Sequence, residues 1–189
     1  MTLIYTIIGF GLAGYSVIAN DSIQTLGTFI ASKQKWFKWY TLAASASFVM
    51  ILALAWGWYA YDGDISYGIL TRIPYQEIQW YHAVAPAILI ILTRIGIPVS
   101  TTFLVLSAFA STVVLEKMLM KSVVGYGLAA VVAYVAWIIV SKFINEKFDE
   151  VSDKWIGFWR NSVWVTSGWL WWVWLSHDVA NIAVYLPRQ

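Results

Sequence analysis

Asp21 and Asp178 are acids placed where hydrocarbon is expected: the first follows the apolar run 2–19, the second the tryptophan-rich run 158–176. Each is preceded by a polar residue, Asn20 or His177, and followed three positions later by an amide, Gln24 or Asn181. An unpaired polar group in a bilayer costs several kcal/mol, so an ionisable residue inside an apolar run marks a functional site. The three-residue spacing puts acid and amide on one helical face. Carboxylate, amide and freed backbone oxygens are what sodium takes as ligands in membrane sites, and a carboxylate also holds a proton. A third constellation, Pro98-Val99-Ser100-Thr101-Thr102, gathers hydroxyls and backbone N–H groups behind a proline. Such donors replace water around an oxyanion. The same run is also an ordinary helix-start cap, and the residues by themselves support both roles. An acid beside an anion is repulsive until a bound cation reverses the local charge, which is a physical reason for cation coupling.

The elements that carry these groups must be membrane spans. The chain is 60% hydrophobic and 12% charged with a mean hydropathy of +0.68, outside the range of a soluble domain. Several runs approach the roughly 20 residues a helix needs to cross a bilayer. The composition predicts an all-α polytopic protein with about five to six apolar segments, multi-pass in a cell or inner membrane. As one helix, segment 1–32 would be roughly 46 Å long at about 1.5 Å per residue, which predicts a break near Asn20-Asp21. Its start has no basic region and no small-residue cleavage site, so it reads as a retained span.

Further along, 39–61 is a regular span with small residues at 43–47, and 62–82 is an external loop with an interfacial helix, His82 included. Segment 83–115 is divided at 96–102, and neither flank, 83–95 or 103–115, reaches a full crossing. This predicts a re-entrant hairpin or an interrupted span. Arg94, close to the break, either pairs with an acid such as Asp21 or Asp178 or snorkels to the interface. Then follow a polar connection at 116–121, a span at 122–140, an amphipathic connection at 141–154 and the span 158–176.

Lys33, Lys35 and Lys38 with no acid between them place that connection on the cytoplasmic side, as the bases of 141–160 place theirs. The two Asp motifs are then entered from opposite sides if 83–115 returns to its starting face. That is the inverted repeat of secondary transporters. It predicts one transmembrane domain over 1–189: a first repeat-like region over 1–140, a cytoplasmic connection over 141–157 and the start of a second repeat over 158–189.

Other classes lack their residues. No nucleophile with a base, no phosphate-binding loop and no dinucleotide turn is present, so the chain reads as no enzyme. Two His and no Cys do not supply a transition-metal site, and His177 reads as an interior hydrogen-bonding residue. No concentrated basic surface points to nucleic acid.

Ile18-Ala19-Asn20-Asp21-Ser22-Ile23-Gln24-Thr25-Leu26-Gly27-Thr28, Pro98-Val99-Ser100-Thr101-Thr102-Phe103 and Ser176-His177-Asp178-Val179-Ala180-Asn181 together resemble the inorganic phosphate transporter (PiT) family. That family carries a Gly-Ala-Asn-Asp-x-x-Asn-x-x-Gly-Thr-like signature in each half and a Pro-Val-Ser-Thr-Thr-His-like stretch after it. The likeness covers one half and the opening of the other. It implies an inverted-repeat fold, usually dimeric, that moves inorganic phosphate with sodium or protons. It also implies a substrate site of Asn20, Thr25, Ser100, Thr101 and Thr102 and a cation site of Asp21, Gln24, Asp178 and Asn181. No cofactor is implied beyond a coupling sodium ion. Gln24, Phe103 and His177 depart from the pattern, and no second Ser-Thr-Thr stretch is present. The alternative expectation is therefore a non-transporting membrane subunit that keeps a half-fold within a larger complex, as a homo-oligomer or with a partner.

Overall fold

Residues 2–97, 99–144 and 153–187 are described by a computed structural model, and within them the chain is helical with no strand. Three helices are long and apolar enough to cross a membrane: Leu3–Lys33, Trp39–Ala60 and Thr112–Lys142. The protein is thus an α-helical membrane protein by length and composition. It divides into two compact units, Met1–Ser111 with Thr166–Gln189, and Thr112–Val165.

In the first unit, α1 (Thr2–Lys33) is one uninterrupted helix of 32 residues. The expected break at Asn20-Asp21 is absent. No Pro interrupts the segment, and its hydroxyls bond back onto the helix: Ser16 to the Ala13 carbonyl, Ser22 to Ala19, Thr25 to Asp21 and Ser32 to Phe29. Self-satisfied hydroxyls and amides that find partners on other segments leave the main-chain ladder intact, so nothing forces the helix open. At about 1.5 Å per residue α1 is roughly 46 Å long, and tilting or extension past the hydrocarbon absorbs such excess.

Helix α2 (Trp39–Ala60) follows the short connection 34–38. The loop beyond it is pinned by Asp64, whose oxygens accept from the Ser66 and Gly68 N–H groups at 2.8 and 3.1 Å. Tyr67 donates from its hydroxyl to the Ala53 carbonyl at 2.6 Å, and a Cβ on Gly57 would meet its ring at 2.9 Å. The expected interfacial helix reduces to two 3₁₀ turns, Leu70–Arg72 and Trp80–Ala83.

The short helix α3 (Val84–Arg94) is the main packing partner of α1. It stops at Gly96, whose φ of +78° is open to glycine and strained for other residues. With 11 residues, α3 is too short to cross alone. The interruption expected within 83–115 is therefore present, although Pro98 lies outside the described residues. Its second flank is not the half-helix expected over 103–115. A π-turn over Thr102–Leu106 runs into a 3₁₀ turn over Ser107–Phe109, and the chain is extended at Ala110.

Helix α5 (Asp153–Asp178) delivers its last turns to the first unit, and after Val179 the single turn α6 (Ala180–Ala183) continues it. Val179 keeps right-handed helical dihedrals, and the Ala183 N–H reaches the Val179 carbonyl at 2.9 Å. The second motif therefore sits at a slight irregularity and not at a wide break.

In the second unit, α4 (Thr112–Ile139) buries none of its residues and passes into a π-turn over Val140–Ile144. The polar connection expected at 116–121 is helical: Glu116, Lys117 and Lys121 ride on α4. Most of the connection expected at 141–154 lies outside the described residues.

Candidate functional site

The irregular stretch between α3 and the π-turn is held from two sides. From α1, the Asn20 Nδ2 donates to the Val99 carbonyl at 3.0 Å and the Gln24 Nε2 donates to the same oxygen at 3.1 Å. From α3, the Thr93 hydroxyl reaches the Asn20 Oδ1 at 3.5 Å. On the other side, the Thr101 hydroxyl donates to Asp178 Oδ2 at 3.0 Å and the Thr102 hydroxyl to Asp178 Oδ1 at 2.6 Å. One segment of four residues thus links α1 to the end of α5. A backbone without helical bonding needs such partners when buried, and the two polar motifs supply them.

Asp178 and Asn181 share a helical face, as their spacing predicts, with the Asn181 Nδ2 at 3.3 Å from Asp178 Oδ1. The same amide lies 3.2 Å from the Thr102 hydroxyl and 3.4 Å from that of Thr101. Asp21 and Gln24 diverge: Asp21 is buried, while Gln24 is exposed and turned to Val99. Asp21 Oδ1 accepts from the Asn20 Nδ2 at 3.1 Å. Its carboxyl interacts with that of Asp178 and with Trp174, so acids 157 positions apart by residue number meet.

Three polar atoms around this meeting point are buried and make no well-formed hydrogen bond among the described residues, although the Asp21 carboxyl lies near Asp178 and Trp174: Asp21 Oδ2, Asn181 Oδ1 and Trp174 Nε1. A buried unsatisfied group costs about 1–3 kcal/mol. Two of these atoms are oxygen acceptors beside a second carboxylate. Two carboxylates side by side away from water repel unless a proton or cation lies with them. Such an arrangement suits a small cation or a proton far better than a bare anion.

Ser100 takes the capping role foreseen for the hydroxyl run: its Oγ accepts from the Phe103 N–H at 3.3 Å. Thr101 and Thr102 do not cap; they serve Asp178. Thr25 is buried, and its hydroxyl donates to the Asp21 carbonyl at 2.6 Å, within its own helix.

Two residues outside the core cluster, His177 and His82, fall differently from expectation, and Arg94 takes no acid as partner. His177 is exposed and bonds the Val173 carbonyl at 2.8 Å through Nδ1, so it is not an interior residue. His82 is fully buried and stacked on Phe109 with centroids 4.2 Å apart, and so is no interfacial residue. Arg94 is exposed and donates to the Tyr15 hydroxyl at 3.1 Å, away from both acids.

Thr93, the Val99 carbonyl and Trp174 belong to the cluster without having been foreseen. Trp174 carries a readable signal, since it lies one helical turn before Asp178 and so on its face. The Val99 carbonyl carries none, because every residue has one.

Comparison with protein-family models, curated proteins and solved structures gave no match to this chain.

Proposed function

We propose that the protein couples a cation, sodium or proton, to the movement of inorganic phosphate across a membrane, in the manner of the PiT family that its motifs resemble. One observation carries the reading: Asp21 and Asp178 converge in a buried cluster with Asn20, Asn181, Thr101 and Thr102 while acceptor oxygens remain unpartnered. The cation site of this reading is Asp21, Gln24, Asp178 and Asn181. The substrate site is Asn20, Thr25, Ser100, Thr101 and Thr102. A cation bound between the acids turns a repulsive locus into one that accepts an anion, and Thr101 and Thr102 become available to phosphate when that cation takes over Asp178. The finer architecture belongs to the same proposal: five to six apolar segments in an inverted repeat, multi-pass in a cell or inner membrane, as a homo-oligomer or with a partner subunit.

Uptake of labelled phosphate into proteoliposomes under a sodium or a proton gradient tests it. Wild type accumulates phosphate under one gradient, and Asp21→Asn or Asp178→Asn lowers the initial rate at least about tenfold, the equivalent of roughly 1.4 kcal/mol. No accumulation under either gradient by the complete, folded protein overturns the reading.

A second reading, a membrane subunit without transport, is favoured by the hydrogen bonds of Thr101 and Thr102 to Asp178, which tie the segments together as a structural network would. On that reading both Asp→Asn variants weaken assembly, and wild type moves no phosphate.

A further inference from the structure

A groove of about 800 Å³ opens between α1 and α2, well apart in character from the acidic cluster. Its α1 wall is the stripe Ile18, Ser22, Leu26 and Phe29, residues spaced to share one helical face. Its α2 wall is made of small residues, Ala43, Ala46 and Ser47, ending at Met50. Small side chains are why the gap exists, since α1 gives its packing to α3, α6 and the Trp80–Ala83 turn. Trp171 closes the back, anchored by its indole N–H on the Ala46 carbonyl at 3.1 Å.

The groove is apolar along its length and basic at its mouth. Gln34, Lys35 and Lys38 line its end at the α1–α2 connection, and no acid lies between residues 33 and 38. Trp36 and Trp39 beside them are 74% and 79% exposed, the habit of indoles at the headgroup level. From Ile18 to Ile30 the α1 wall rises roughly 18 Å at about 1.5 Å per residue, close to half of a hydrocarbon core about 30 Å thick. The volume falls in the range of about 300–1,000 Å³ typical of ligand sites.

We propose that this groove binds one acidic glycerophospholipid, with an acyl chain lying between α1 and α2 and the phosphate headgroup on Lys35 and Lys38. Three features select this occupant. The groove's length matches one leaflet, its walls carry no charge, and the only charges at its mouth are cationic. Each lysine near an anionic headgroup adds to the attraction, so two of them distinguish an acidic lipid from a zwitterionic one of equal chain length. The proposal is independent of the transport reading, because its residues contribute no side chain to the acidic cluster.

Native mass spectrometry of the full chain released from nanodiscs tests it, with phosphatidylglycerol and phosphatidylcholine of identical acyl chains as probes. Wild type retains phosphatidylglycerol about tenfold over phosphatidylcholine. Lys35→Gln with Lys38→Gln removes that preference. Ala43→Phe with Ser47→Phe, at exposed positions that leave the core untouched, lowers retention of both lipids while helicity is unchanged. Equal retention of the two lipids by wild type overturns the proposal, as does indifference to the filled groove. Displacement by free glycerol 3-phosphate overturns it in favour of a soluble-anion site. Photo-crosslinking from position 43 to a second protein chain in place of lipid overturns it in favour of a protein interface.

Discussion

Asp21 and Asp178 share a local pattern and end in opposite circumstances. Asp178 has both oxygens engaged, by Thr101, Thr102 and Asn181. Asp21 has one oxygen on its neighbour Asn20, and the other makes no well-formed hydrogen bond among the described residues although Asp178 and Trp174 lie near the carboxyl. Both are buried, so the difference is not exposure. It comes from what each helix faces: α5 ends against the hydroxyls of 101–102, whereas α1 meets the Val99 carbonyl, an acceptor that pairs with amides and not with an acid. Asp178 is a carboxylate held in place by the scaffold, and Asp21 is one with an open position.

The comparison breaks most sharply if the hydroxyls go. Thr101→Val with Thr102→Val strips Asp178 of its donors on the irregular segment, and hydrogen bonds to a charged group are worth about 1.5–3 kcal/mol each. A loss of about 3 kcal/mol, read by thermal or denaturant unfolding in detergent, is expected, and a change within about 0.5 kcal/mol, the scatter of ordinary surface substitutions, removes the claim that Asp178 is scaffold-held. Next comes the pair of neutral variants. Asp178→Asn places an amide N–H where one of the two hydroxyls donates and is expected to destabilise by about 2 kcal/mol. Asp21→Asn, with its open oxygen, shifts stability by less than about 1 kcal/mol under the same assay. Equal effects erase the distinction between held and open.

Smaller effects sharpen the frame around the two acids. A Cβ at Gly9 would strike the ring of Tyr185, which is buried and donates to the His82 carbonyl at 2.7 Å. Overpacking of this kind costs about 1–3 kcal/mol, so Gly9→Ala lowers stability, and Gly9→Ala with Tyr185→Phe does not restore it because the ring remains. Gln24→Ala removes one of two donors to the Val99 carbonyl, and a membrane hydrogen bond averages about 0.6 kcal/mol. Its loss registers as faster amide exchange at 99–102 with a barely altered unfolding midpoint.

Much of the site is readable without coordinates. Asp21, Asp178, Asn20, Asn181 and the Ser-Thr-Thr run stand out because polar side chains are expensive in apolar runs. The shortness of the helix before residue 96 is readable for a similar reason, since a span has a minimum length. The break in α1 is misread: polar residues suggest an interruption, but a helix opens only where its ladder loses a bond, and Ser16, Ser22 and Thr25 satisfy themselves on preceding carbonyls. The connection at 116–121 is misread likewise, because Glu116, Lys117 and Lys121 are good helix formers whose charge argues against burial, not against helix. His82 shows the converse error: Trp80 and Tyr81 beside it suggest an interface, yet its ring is fully buried and stacks on Phe109, a residue far along the chain.

The amino-acid order alone determined that this is a helical membrane protein, which residues are too polar to lie in lipid, and which of them repeat as acid and amide three apart. Those properties are local: they follow from transfer free energies and helical periodicity, and both are set residue by residue. Only the tertiary structure decided that Thr101 and Thr102 serve Asp178 while Ser100 caps, that Val99 offers its carbonyl to two amides, and that one acid is held and the other open. Each of those depends on where a second segment lies in space, and hydrogen-bond partners 75 to 80 residues away leave no trace in a local pattern.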